Sequence, residues 1–266
     1  MLTPIIFFLI LLGLFAGAWG ALVGLGGGII LVPVLSLWFG LPIKTAVGIS
    51  LVCVIATSSA AAAVYVQRRW TDLRLGMVLE LATVLGAITG ALVVTLLSDR
   101  IVKGLFGGFL VYATVMMLRQ RAESSEEKTG FLPDYEVRNY PLGLAVSYLA
   151  GGASGMLGIG GGPIKVPMMY LFMGLPLRVA AATSNFMIGV TASASAFLYY
   201  MRGDMVVPVA APLAVGVFAG ALAGSKLSPR LRSRWIRWLL MPVLVYLALL
   251  MLSEAFHLPF LGRGQR

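Results

Sequence analysis

Apolar side chains fill ten stretches of this sequence, and short polar segments separate the stretches. Several of the stretches reach the roughly 20 residues that a membrane-spanning helix needs, and they lack the apolar–polar alternation of a membrane β-strand. The stretches lie at residues 3–23, 28–40, 44–66, 75–97, 101–118, 141–157, 162–174, 179–201, 206–225 and 236–256. The pattern predicts an all-α polytopic membrane protein in which the second and seventh elements are short.

The sequence contains an internal duplication. A shift of 134 positions aligns the glycine-rich run 24–28 with the run 158–162, and it pairs Pro33 with Pro167 without a gap. The same register continues through several further identities. These are Gly17 with Gly151, Ser50 with Ser184, Thr57 with Thr191, Tyr65 with Tyr199, Arg68 with Arg202, Gly86 with Gly220 and Gly90 with Gly224. Each half of the chain therefore holds about five helical elements.

The duplication and the polar residues define the domain organisation. Residues 1–118 form a first membrane repeat, residues 141–266 form a second one, and residues 119–140 join them. The joining segment is the one sizeable polar stretch, and it contains several acidic residues, including Glu123, Glu126 and Glu127. We expect it to be a solvated linker.

The composition agrees with a bilayer as the main solvent of this chain. Hydrophobic residues make up 59% of the sequence and charged residues only 11%, with a mean hydropathy of +0.95. The net charge of +10 comes from basic residues in the short segments between apolar stretches. In that position they indicate orientation and lipid-headgroup contacts rather than nucleic-acid binding.

The distribution of Lys and Arg predicts the orientation in the membrane. When each glycine-broken pair of elements counts as two crossings or as one re-entrant hairpin, thirteen basic residues collect on the linker side and six on the other. If each broken pair were one continuous helix, the count would be ten basic residues on one side and nine on the other, and this near-even split disfavours a continuous helix. We expect the protein to lie in the cell (inner) membrane. The positive-inside rule then places the linker in the cytoplasm and both termini on the outer side of this membrane. Each half has an odd number of crossings in this count, so the two repeats are predicted to be inverted, as in many secondary transporters.

The glycine-rich runs are the strongest candidates for a binding site. Adjacent glycines inside an apolar membrane segment expose backbone N–H groups that lipid cannot satisfy, and the N-terminus of the short helix that follows favours an anion. The alternative is close helix packing at glycine. The candidate substrate-binding residues here are Gly26, Gly27, Gly28, Gly160, Gly161 and Gly162.

Two ionisable residues fall inside apolar stretches. Lys165 follows the second glycine run, and its repeat counterpart is Leu31, so we expect it to contact the anion unless it reaches the membrane interface instead. Glu80 is a candidate for proton coupling, since membrane-buried carboxylates often relay protons. Arg74 precedes Glu80 by six residues, and this spacing leaves an interfacial position open for Glu80.

Small polar residues cluster on the third element of each half. Ser50, Ser184, Asn185 and Thr191 are the candidates for substrate binding, because hydroxyl and amide donors can replace the water around an anion and still release it. Helix packing by Ser and Thr is the alternative. Asn185 has the strongest case, because its counterpart is the apolar Leu51.

The sequence offers little for redox, metal or enzyme chemistry. Cys53 is the single cysteine, and the single histidine, His257, lies near the C-terminus at an expected interfacial position. No nucleophile–base pair is evident, so we expect neither catalytic activity, nor a cofactor, nor a bound metal.

At these motifs the sequence resembles the TauE/SafE family of sulfite exporters. The resemblance rests on residues 20–28 with Val32-Pro33, on residues 155–162 with Val166-Pro167, and on matches through residues 174–176, 182–185 and 200–203. It covers most of the chain except the linker. The resemblance implies export of sulfite or another sulfonated anion, driven by the proton gradient.

The leading hypothesis is therefore a secondary transporter of small sulfur-containing anions. An anion or small-solute channel with a different substrate is the alternative, and it would use the same glycines without a coupling carboxylate. An intramembrane enzyme or scaffold is a third hypothesis, with less support. The expected partners are the lipid bilayer and a small anion, and a homodimer is an arrangement that the sequence leaves open.

Overall fold

The computed structural model describes residues 2–23, 26–119, 135–227 and 233–256, and all regular structure in these residues is helical. The ten α-helices are α1 Leu2–Val23, α2 Gly28–Pro33, α3 Ile43–Gln67, α4 Leu73–Leu96, α5 Asp99–Arg119, α6 Tyr140–Leu157, α7 Gly162–Leu171, α8 Leu177–Met201, α9 Val207–Leu227 and α10 Ser233–Phe256. They coincide with the ten predicted elements to within a few residues. Most of the predicted linker, His257 and the residues after it lie outside the described ranges.

The second element of each half is short, as the sequence predicts. Helix α2 has six residues and continues into a π-helical segment over Val34–Trp38, directly after Pro33. Helix α7 has ten residues, which span about 15 Å at 1.5 Å per residue. The hydrocarbon core of a bilayer is about 30 Å thick. Helix α7 therefore cannot cross it alone, which agrees with a broken or re-entrant helix at this motif.

The surface of the described helices is that of a membrane protein. Helices α1, α3, α4 and α9 are long and apolar enough to cross a bilayer, among the residues described. Large apolar side chains point outward, including Leu81, Leu96 and Phe197, which are 73%, 84% and 63% exposed. Lipid is the solvent that suits such a surface. The prediction of an all-α polytopic membrane protein is confirmed.

The most extensive helix contacts join the two halves, and they come in repeat-related pairs. Helix α1 packs on α9 and α4 packs on α6, while α3 packs on α8 and α5 on α10. A Cβ built on Gly17 would lie 2.1 Å from the Val217 carbonyl oxygen, and one built on Gly151 would lie 2.0 Å from the Thr83 oxygen. Gly151 lies 134 positions after Gly17, and Thr83 lies 134 positions before Val217, so the two contacts are repeat-related and the duplication extends to the packing.

Two equivalent helices of the repeats run antiparallel in the interface. Gly48, near the start of α3, packs against the carbonyl of Asp204 beyond the end of α8. Ser58, further along α3, donates a hydrogen bond to the Asn185 carbonyl in the first half of α8. The inverted orientation of the two repeats stays a prediction, and this antiparallel contact supports it.

Candidate functional site

Three of the predicted site residues meet in one buried cluster, although they come from three helices. The Lys165 Nζ atom lies 3.6 Å from Glu80 Oε2 and 3.1 Å from the Thr191 hydroxyl oxygen. The Thr191 hydroxyl donates to Glu80 Oε1 at 2.6 Å. These three residues are called the ionic cluster below. The sequence identified each member but not their contact.

Local structure places each member of the ionic cluster. Glu80 lies two turns into α4, which begins after the N-cap Asp72, whose carboxylate accepts from the Leu75 N–H. Lys165 lies in the first turn of α7, and its own N–H donates to the Gly161 carbonyl. Thr191 lies in the middle of α8. Three helices therefore converge beside the second glycine-rich turn.

The protein encloses the ionic cluster. Lys165 is 0% exposed and Glu80 is 7% exposed, so the alternative that Lys165 reaches an interface does not hold. A buried charge is tolerated when it is paired and hydrogen-bonded, and each charge here has the other as its partner. Lys165 is therefore not a free cation in this structure. An anion must compete with Glu80 for it.

The glycine-rich turns meet across the interface of the halves. Gly26, Gly27, Gly160 and Gly161 all have φ between 74° and 77°, a left-handed backbone that favours glycine. A Cβ on Gly160 would lie 2.6 Å from Ile188 and one on Gly26 would lie 3.3 Å from Val54. The side chains of Val54 and Ile188 thus lie next to both turns.

Ser50 links the first half to the second turn. Its hydroxyl donates to the Gly158 carbonyl at 2.9 Å, and a Cβ on Gly28 would lie 2.3 Å from the same oxygen. Gly28 and Gly162 begin the short helices α2 and α7. Gly28 and Ser50 therefore lie against the second motif, and none of the first-half candidates Gly26, Gly27, Gly28 and Ser50 is part of the ionic cluster.

Ser184 and Asn185 are buried on α8, one to two turns before Thr191. The Asn185 Nδ2 atom donates to the Ala181 carbonyl at 3.0 Å, which uses one of its two N–H groups. Neither the Ser184 hydroxyl nor Asn185 Oδ1 has a hydrogen-bond partner among the described residues.

Two further polar residues, which the sequence reasoning missed, lie on helix α6. Ser147 and Ser154 are 0% exposed, and their hydroxyl groups have no hydrogen-bond partner among the described residues. Their repeat counterparts are Gly13 and Gly20. A Cβ on Gly20 would lie 2.3 Å from the Gly27 nitrogen, so the repeat directs Ser154 toward the second glycine-rich turn. The replacement of glycine by serine in the aligned repeats was the available signal.

The ionic cluster has no charged equivalent at the repeat-related positions. Lys165 corresponds to Leu31, Glu80 to Ala214 and Thr191 to Thr57. Leu31 belongs to the buried apolar core, Ala214 packs against that core, and the Thr57 hydroxyl bonds within its own helix to the Cys53 carbonyl. The polar chemistry of the interface is therefore concentrated at the second glycine-rich turn.

Comparison with known proteins identifies the family. The model of the sulfite exporter TauE/SafE family matches residues 9–251. The probable membrane transporter protein YunE of Bacillus subtilis is 27% identical, over 92% of this chain and 97% of its own length. A probable membrane transporter protein of Xylella fastidiosa is 30% identical, over 79% of each chain. Sulfite exporter TauE/SafE family protein 6 of Arabidopsis thaliana is 29% identical, over 60% of this chain and 37% of its own. No solved structure matches the chain.

These relatives support a role in membrane transport, which agrees with the helical membrane fold. The family match covers nearly the whole chain, including both glycine-rich turns and all three members of the ionic cluster. The chain belongs to the sulfite exporter TauE/SafE family.

Proposed function

We propose that this protein is a secondary transporter that exports a small sulfur-containing anion, sulfite or an organosulfonate, across the cytoplasmic membrane. The observation that carries the proposal is the buried ionic cluster beside the N-terminus of α7. A lysine–glutamate pair enclosed within membrane helices costs free energy, and such residues usually serve a transport path. The family description supports sulfur anions as the cargo.

The anion is proposed to bind at the start of α7. The first N–H groups of a helix have no acceptor within the helix, and the helix dipole adds positive potential there. Gly160 and the N-cap Gly161 precede α7, Gly162 is its first residue, and Lys165 adds a positive charge within one turn. Ser184, Asn185 and Thr191 supply further donors from α8. Gly28 and Ser50 contact the second turn from the opposite half, and Gly26 and Gly27 belong to the first turn.

Glu80 is proposed to couple anion transport to protons. A proton on Glu80 removes the carboxylate charge that pairs with Lys165, so the ammonium group can then hold an anion. Loss of the proton restores the ion pair and expels the anion. The anion and the proton are therefore bound in the same state and cross the membrane together. Efflux follows the anion's own gradient, and the pH gradient sets how far it proceeds.

The proposed orientation places the linker in the cytoplasm and both termini outside, with inverted repeats. The supporting observations are the excess of basic residues on the linker side and the antiparallel contact of α3 with α8. In this orientation the linker end, where α3 ends and α4 and α8 begin, faces the cytoplasm.

Flux through the purified protein in liposomes tests this proposal. Liposomes loaded with isethionate, a sulfonate that does not buffer near neutral pH, and with a pH-sensitive dye should show saturable isethionate efflux. The lumen should become more alkaline as protons leave with the anion. Sulfite and taurine are compared as cargo. Acidification would mean exchange instead of co-transport, and no saturable flux of any sulfur anion would overturn the cargo assignment. Flux without saturation or pH change would indicate a channel.

Replacing Asn185 tests the donors on α8. Asn185→Ala is expected to lower isethionate flux about ten- to a hundredfold, because one hydrogen bond to a charged group contributes roughly 1.5–3 kcal/mol. Ser193→Ala is the matched control, since both side chains donate to a carbonyl one turn back on the same helix and Ser193 is exposed. Equal flux in the two variants, at equal amounts of folded protein, would remove Asn185 from the site.

A further inference from the structure

Two arginines lie beside one tryptophan at the linker end of the protein. The guanidinium carbons of Arg68 and Arg178 are 5.1 and 4.8 Å from the centre of the Trp70 ring. Arg68 follows the last residue of α3, and Arg178 lies in the first turn of α8. Both arginines are exposed and Trp70 is half-buried. Cations at such distances from an indole ring are attracted to its face.

The positive charge of these arginines is not neutralised by any carboxylate in the described part of the chain. The nearest acidic residue in sequence, Asp72, is engaged elsewhere. Its Oδ1 atom accepts from the Leu75 N–H at 2.9 Å, and its Oδ2 atom accepts from the Tyr135 hydroxyl at 2.8 Å. Burial and the hydrogen bond to Asp72 both raise the pKa of Tyr135, so its phenol stays protonated and keeps donating.

The repeat-related positions at the opposite end show what a neutralised arrangement looks like. Arg202 corresponds to Arg68, and Asp204 stands where the first repeat has Trp70. There the Arg202 Nε atom lies 3.2 Å from Asp204 Oδ2, and a second nitrogen of the guanidinium group donates to the Ala91 carbonyl. The counterpart of Arg178 is Lys44, whose ammonium group lies 3.5 Å from the Thr95 carbonyl oxygen. At that end each cation has a protein oxygen within 3.5 Å.

We propose that Arg68, Trp70 and Arg178 form a docking site for an oxyanion group at the linker end, separate from the ionic cluster. The planar guanidinium group presents paired N–H donors that match the oxygens of a sulfonate or phosphate group. Trp70 holds both arginines over its ring without neutralising their charge. Asp204, the residue at the equivalent position of the second repeat, instead forms an ion pair with Arg202. The oxyanion group comes from a soluble sulfonate or from the phosphate of a lipid headgroup, which share this chemistry.

Binding of isethionate to the full-length protein in nanodiscs of phosphatidylcholine tests the site. Calorimetry is performed on the Lys165→Leu, Glu80→Ala variant, so that the ionic cluster does not contribute to the measured binding. The result is therefore independent of whether the proposed transport function is correct. Saturable binding is expected, and Arg68→Gln or Arg178→Gln should weaken it about tenfold, which is the loss of one charge-assisted hydrogen bond. Arg68→Lys keeps the charge but not the paired donors, and it should recover only part of the affinity.

Arg74→Gln is the matched control, because Arg74 is an exposed arginine at the same end whose guanidinium group does not stack on Trp70. An equal loss in this variant would show that only the general surface charge matters, and it would overturn the site. Absence of saturable isethionate binding both in nanodiscs and in a detergent without phosphate groups would also overturn it.

A lipid arm identifies the source of the oxyanion group. One fifth of the lipid is replaced by phosphatidylglycerol. If phosphatidylglycerol weakens isethionate binding, and does not do so in Arg68→Gln, the site is assigned to a lipid phosphate. If isethionate binds equally well with and without phosphatidylglycerol, the site is assigned to the soluble anion.

Discussion

Replacing Lys165 by leucine and Glu80 by alanine together is expected to give a folded protein that no longer transports sulfonates. The introduced leucine and alanine are the residues that occupy the equivalent positions of the other half, Leu31 and Ala214. The double variant removes both charges at once, so neither is left unpaired. The Thr191 hydroxyl then donates to the Met187 carbonyl oxygen instead of Glu80, since that oxygen lies 3.1 Å from it. Stability is expected to stay near that of the unchanged protein or to rise.

Each single replacement should behave differently. Lys165→Leu leaves the Glu80 carboxylate buried without its cation, and Glu80→Ala leaves the Lys165 ammonium buried without its anion. Removing one partner of a buried ion pair typically costs about 3–5 kcal/mol, whereas removing both is often neutral. The non-additive recovery of stability in the double variant would demonstrate the ion pair.

The measurement combines unfolding in detergent with isethionate flux at equal amounts of folded protein. Lys103→Leu with Glu254→Ala is the matched control, because this ion pair also joins the two halves but is partly exposed, at 25% and 39% of the side chains. Exposed pairs contribute about 0–1 kcal/mol, so the control should change neither stability nor flux greatly. Normal flux in the Lys165→Leu, Glu80→Ala protein would remove the ionic cluster from the mechanism.

The helices could be predicted from the sequence because each apolar stretch is bounded by glycine, proline or charge. The runs at 24–28 and 158–162 interrupt helices as expected, and they do so at residues such as Gly26 and Gly160 whose left-handed backbone requires glycine. The π-helical segment after Pro33 was not predicted, since nothing local distinguishes a π turn from an α turn there.

The site was predicted residue by residue but not as a cluster. Lys165 and Glu80 each stood out as a charge inside an apolar stretch, yet their contact depends on how α4, α7 and α8 pack. Periodicity within one helix carries no information on that packing. The duplication contained part of the answer, because both charges are replaced by uncharged residues at the equivalent positions. Ser147 and Ser154 show the same one-sided substitution, and a residue-by-residue comparison of the repeats would have found them.

Glycine packing between the halves gives the second large expected effect, since helix α4 carries Glu80. A Cβ on Gly86 would lie 1.9 Å from the Tyr148 carbonyl oxygen of α6. Gly86→Ala must therefore push α4 and α6 apart by about 1 Å, and such overpacking typically costs about 1–3 kcal/mol. We expect both a loss of stability and a loss of transport, because the shift moves the Glu80 carboxylate away from Lys165.

The duplication supplies a control for each part of this effect. A Cβ on Gly220 would lie 2.0 Å from the Leu14 carbonyl oxygen, which is the repeat-related contact of α9 with α1. Gly220→Ala should cost similar stability, but α9 carries Ala214 where α4 carries Glu80, so transport by the folded fraction should fall less. Gly108→Ala, where a Cβ on α5 meets nothing within 4 Å, should leave stability unchanged or raise it by up to about 1 kcal/mol.

Unfolding in detergent and isethionate flux of the three variants separate packing from transport. Equal flux per folded molecule in Gly86→Ala and Gly220→Ala would contradict a special role for the α4–α6 contact. Lower flux in Gly86→Ala alone would mean that the two halves, although they pack alike, are not equivalent in transport. The Glu80 carboxylate would then be what distinguishes the α4–α6 interface, which is needed for transport, from the α1–α9 interface, which contributes stability alone.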